Sequence, residues 1–189
     1  MIQDIIDKCL RRVQRLLLSP AKEWDAINGD PADMADIYKS YVLPLVMFSA
    51  LAGAIGSLMM GLNIGFVIRD LLFAIIIWLA SVYLFSLIID ALAPTFGGQK
   101  NPGQAFKVAA YALTAVWLAS TFNIIPALSI LEILGIYAFY SLYVGLPKLM
   151  NCPADKALVY TTVIGVCAFV LYVILKILVV PIIIGLSMF

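Results

Sequence analysis

The chain has 189 residues, of which 64% are hydrophobic and 12% charged, with a mean hydropathy of +1.07. A soluble domain is about a quarter charged, and a globule of this length has too little interior to hide so much apolar surface, so a bilayer is implied and a soluble fold excluded. The net charge of +1 gives no reason to expect nucleic acid or an acidic partner.

At the N-terminus Ile2, Ile5, Ile6, Cys9, Leu10, Val13, Leu16 and Leu17 recur at helical spacing, while Asp4, Asp7, Lys8, Arg11, Arg12 and Arg15 fill the other face. This is an amphipathic helix with a basic side, suited to lie in the membrane interface or to dock on a partner or on its own membrane domain. Its charges leave no uninterrupted apolar core of a signal peptide, so none is expected. In "SPAKEWDAING" Ser19 is the expected cap, Pro20 opens a short helix that Gly29 ends, and Trp24 is placed as a headgroup-level anchor. In "GDPADMADIYKSYVLP" Asp30 is the expected cap and Pro31 the opening, with Asp33 and Asp36 near the positive helix end. Residues 1–40 read as cytoplasmic, membrane-hugging helices and 41–189 as the membrane domain.

Five apolar runs follow, at about 41–62, 71–93, 105–124, 128–146 and 157–185, each near the ~20 residues that cross a bilayer. The fold class is therefore all-α, a polytopic bundle of five transmembrane helices behind interfacial N-terminal helices. The tight "IPA" connection makes spans three and four a hairpin. The fifth run is too long for one perpendicular crossing, so it tilts, protrudes or breaks near Pro181. Lys8, Arg11, Arg12, Arg15, Lys22, Lys39, Lys100, Lys107, Lys148 and Lys156 fall on the N-terminal side and Arg69 on the other. The positive-inside rule then places the N-terminus in the cytoplasm and the C-terminus outside.

Three charges stand out within the spans. Lys176 interrupts "VCAFVLYVILKILVVPIIIG", roughly 28 Å along the fifth span and so close to the far interface. Glu132 lies at a similar depth, about one turn into the fourth span, with Asp70 at the same face. Lys176 can snorkel, pair with Glu132 (Asp70 being the second partner), or line a solute or proton path. Asp90 lies near the cytoplasmic end of the second span, where it faces Lys100 and Lys107 or lines a cytoplasmic cavity.

Ser49, Gly53, Ser57 and Gly61 recur at four-residue intervals on the first span, a stripe that lets another helix backbone come close. Catalytic chemistry has no matching residues. There is no histidine, the commonest general base and transition-metal ligand. Cys9, Cys152 and Cys167 lack metal-ligand spacing, and no Walker loop, GxSxG or HExxH motif occurs. No catalytic residue, cofactor or metal is expected. "FGGQKNPGQ" reads as a loop whose Asn101–Pro102 step begins the third span.

The segments "LLLSPAKEWDAI", "FGGQKNPGQAFKVAAYALTAVWLAS" and "IPALSILEILGIYAFYSLYVGLPKLMNCPADKALVYTTV", with the five-span layout, resemble the bacterial branch of the Yip1 family of membrane proteins. The resemblance runs from about residue 16 to 170 and implies a bacterial inner-membrane protein without catalysis. Such a protein binds or organises lipids or other membrane proteins, including a second copy of itself. The alternative is a small permease or channel using Glu132, Lys176 and Asp90, with Tyr137, Phe139, Tyr140 and Tyr143 along a cavity.

Overall fold

A computed structural model describes the backbone of residues 2–185 and the side chains of 3–178 apart from Lys176. It is 89% helical. The first two helices, α1 (Ile2–Leu18) and α2 (Pro20–Gly29), pack against the spans through buried residues that include Leu16 and Trp24. Five helices long and apolar enough to cross a membrane follow: α3 (Met34–Met59), α4 (Ile64–Phe96), α5 (Pro102–Ile124), α6 (Pro126–Met150) and α7, which is apolar enough over Ala154–Leu175 and runs on as helix over Ala154–Gly185. The protein is a multi-pass membrane protein.

Burial singles out α5 as the central helix. Two thirds of its most apolar window (67%) is buried, against 17–33% in the others. Alanines make this close packing feasible: Ala105, Ala109, Ala110 and Ala112 are fully buried, so α4 and α6 approach the α5 backbone closely. The apolar side of α1 is shared. Cys9, Val13 and Leu16 join the same core as the spans, while Ile6 and Leu10 remain exposed.

Several local expectations are corrected. The cap before the first span is Asp33, whose carboxylate accepts from the amides of Ala35 and Asp36 at 2.9 and 3.1 Å, so that helix starts at Met34 and not at Pro31. Asp30 is committed elsewhere. Trp24 is no headgroup anchor: it is fully buried, and a Cβ on Gly145 would lie 2.8 Å from its ring. The fifth run shows no break at Pro181, as α7 is continuous through it.

Three departures from regular α geometry shape the interior. A π turn, Tyr38–Val42, precedes Pro44, whose missing N–H and ring bulk disfavour a regular turn there. The α5 helix is interrupted at Leu113. There the Thr114 hydroxyl donates to the Tyr111 carbonyl at 2.6 Å and shares a 2.7 Å hydrogen bond with the Tyr41 hydroxyl. The first half of α6, Pro126–Ile136, is wound as a 3₁₀ helix over 11 residues, where runs beyond about 3–4 are uncommon.

Candidate functional site

The 3₁₀ winding has a direct consequence for side-chain direction. With three residues per turn, every third side chain points the same way. Pro126, Ser129, Glu132 and Gly135 therefore form one column, and all four line a single cavity of ≈ 1040 Å³ together with Asn123, which lies on the short 3₁₀ turn Thr121–Ile124 before the extended Ile125. In an α-helix the same residues would drift around the axis by about 60° per step. The Asn123 amide nitrogen donates to Glu132 Oε1 and holds the carboxylate in the column.

The opposite walls come from α3, α4 and α7. On α3 the lining includes Ser49, Gly53 and Ser57. A Cβ on Gly53 would meet nothing within 4 Å, so the missing side chain there is open volume. The close approach on this helix is at Gly56, where a Cβ would overlap the Asn123 carbonyl. That contact seats the 3₁₀ hairpin on α3. The α4 wall extends from Asp70 to Phe85, roughly 22 Å along the helix axis. Two carboxylates and no lysine or arginine occur among the described lining residues. The Asp70 carboxylate makes no hydrogen bond or ion pair among the described residues.

Beyond Phe85 and Leu142, toward α1 and α2, the bundle is solid. Trp24, Phe106 and Tyr160 are fully buried there. A polar network ties the two short helices to this plug. Lys107 on α5 is only 1% exposed, and its ammonium donates to the Ile27 carbonyl at 2.8 Å and to the Asp30 carbonyl. These are carbonyls at the C-terminal end of α2, where a cation is favoured. Glu23, 3% exposed, is held by Arg12 at 3.2 Å and Arg15 at 3.5 Å, and Arg12 reaches Asp30 at 2.7 Å. Arg12 also donates to the Tyr111 hydroxyl at 3.2 Å. Burial works against its charge, yet Tyr111 and Asp30 outweigh that and raise the guanidinium pKa above its ordinary value. Burial likewise pushes the Cys9 thiol up to about 11.

Among the residues singled out from sequence, Glu132, Asp70, Ser49, Gly53 and Ser57 meet at the cavity. Gly61 lies outside it, in the turn after α3 with φ +79°. Asp90 is apart from it: its Oδ1 accepts the Asn101 amide at 2.7 Å, and Lys107 turns to α2 instead. The Lys176 side chain, and with it the expected pairing to Glu132, lies outside the described residues. Of the fourth-span aromatics, Phe139 lines the cavity, while the Tyr137 hydroxyl donates to the Leu17 carbonyl at 3.0 Å. Sequence reasoning missed Lys107, Arg12 and Glu23. A lysine flanked by Ala105, Phe106, Val108 and Ala109 was the available signal.

The three segments that carried the family resemblance converge in this architecture. "SPAKEWDAI" supplies Glu23 and Trp24, "NPGQAFKVAAY" supplies Lys107 and Tyr111, and "GIYAFYSLYVG" supplies Gly145 beneath Trp24. No curated protein and no solved structure matches the chain. A family model described as the Yip1 domain matches residues 15–175, most of the chain. With the five spans, the central α5 and the docked N-terminal helices on the page, the chain belongs to the Yip1 domain family.

Proposed function

We propose that the protein is a non-enzymatic membrane protein that binds or organises other membrane components, lipids first and membrane proteins second. The observation that carries this is the ≈ 1040 Å³ cavity inside the spans, at the upper end of the size range of small-molecule sites. Most of its wall is small or apolar, as a lipid tail requires. The aromatic plug of Trp24, Phe106 and Tyr160 supports holding over passage, and Asp90 stands apart from the lining, which weakens a permease reading.

The ten basic residues on the α1–α2 side favour a cytoplasmic N-terminus in a bacterial inner membrane. On that side the exposed Ile6 and Leu10, next to Lys8 and Arg11, suit contact with an anionic headgroup layer. The test is the mass of the intact protein released from native membranes in mild detergent. A retained lipid or a defined protein partner is the expected result. A bare chain that retains neither contradicts the reading.

A further inference from the structure

We infer that the cavity is a site for a single phospholipid whose headgroup carries a primary amine, its ammonium directed to Asp70 and Glu132 and an acyl chain lying toward Phe85. This rests on the binding reading above and names the ligand class. Charge complementarity is the first argument. The described lining holds two carboxylates and no basic side chain, and a carboxylate favours a cationic group over an anionic one. Asp70 lies about two turns into the 33-residue α4, near the end of the span and so at the level of a headgroup.

Geometry supplies the second argument. The 3₁₀ column fixes where Glu132 points, and the Asn123 amide occupies one carboxylate oxygen, which leaves Oε2 as an acceptor. Ser57 and Ser129 add hydroxyls to the same lining. An ammonium brings three donors, which suits two carboxylates and neighbouring hydroxyls. Length is the third argument. The α4 wall from Asp70 to Phe85 runs roughly 22 Å, longer than the ~15 Å of half a bilayer core. One end is acidic and polar, the remainder is mostly apolar, and Gly53 leaves room along the way. Among the described residues there is no group of three or more metal-ligating side chains, so a bound metal ion has less to recommend it.

The test offers the purified protein an equimolar mixture of dioleoyl phosphatidylethanolamine and dioleoyl phosphatidylglycerol and counts the retained lipid by native mass spectrometry. The expected preference for the amine lipid is about tenfold. It should fall to near parity in the Asp70→Asn/Glu132→Gln double variant while total lipid retained persists. Lys176→Met should keep the preference, because the lipid's own ammonium carries it. Should the double variant fail to fold, the wild-type protein is offered the same phosphatidylethanolamine with its amine acetylated, and a loss of about tenfold in retention is expected. Equal retention of the two lipids, an unchanged preference in the double variant, or a preference lost with Lys176 alone would overturn the headgroup assignment and leave lipid binding standing. No retained lipid of either kind would overturn both.

Discussion

The Lys107 ammonium, at the heart of the most buried helix, donates to the Ile27 carbonyl at 2.8 Å, eighty residues earlier in the chain. The bond is an intramolecular C-cap, with a buried cation meeting carbonyls that α2 itself leaves unsatisfied. Replacing it by Lys107→Met keeps the apolar stem and removes the donor. The expected cost is about 2–3 kcal/mol from stranded carbonyls. At ~2–4 °C per kcal/mol for a chain of this size, the melting midpoint in detergent drops by roughly 5–10 °C. An unchanged midpoint would show that water satisfies α2 just as well.

The Glu23 carboxylate lies between Arg12 and Arg15. Breaking a fully buried pair costs about 3–5 kcal/mol, but Arg12 and Arg15 have side-chain exposures of 23% and 57%. Glu23→Gln and Arg12→Met are therefore each expected to cost about 1–3 kcal/mol. The double variant should cost less than their sum, since both remove one interaction. Strict additivity would mean that the two side chains do not share their energy.

Gly145 and Gly53 predict opposite outcomes for the same chemical change. A Cβ at Gly145 would press into the Trp24 ring at 2.8–2.9 Å, whereas one at Gly53 meets open space. Gly145→Ala should cost about 1–3 kcal/mol by overpacking and should raise protease cleavage of the α1–α2 segment. Gly53→Ala should be neutral or slightly stabilising, because alanine favours helix by about 1 kcal/mol over glycine.

Cys9 is a buried thiol facing no catalytic partner. Burial raises its pKa from 9.0 to about 11, which lowers the thiolate fraction at pH 8 about 100-fold. Iodoacetamide labelling followed by peptide mapping should find Cys9 slow in the folded protein and fast after denaturation in SDS. The sign for stability follows: the raised folded-state pKa leaves the thiol's contribution intact below pH 9. That contribution is lost as pH rises through about 11.

Hydropathy made the five spans legible, because ~20-residue apolar runs have few alternatives. The amphipathic period of α1 was also plain, although the choice between lipid and self-docking was not. Cys9, Val13 and Leu16 resolve it by packing into the core. Trp24 and Lys107 were misread for one reason. Tryptophan and lysine near a span end are ordinary interface residues, and only contact with Gly145 or Ile27, far away in sequence, makes them interior ones. The cavity was hidden too. Glu132 and Asp70 could be matched in depth by counting residues, but the column that aims Glu132 depends on a 3₁₀ winding that "PALSILEILGI" does not announce. Nor did the spacing of Ser49, Gly53 and Ser57 show that the stripe would border open volume.

The central claim is that this volume holds lipid, and blocking it is the most direct test. Gly53→Phe puts a ring where a Cβ meets nothing within 4 Å. Native mass spectrometry of the wild-type protein should then show one retained phospholipid per chain, and the variant should run as bare protein with its melting midpoint preserved. A folded variant that keeps the same lipid would contradict the account.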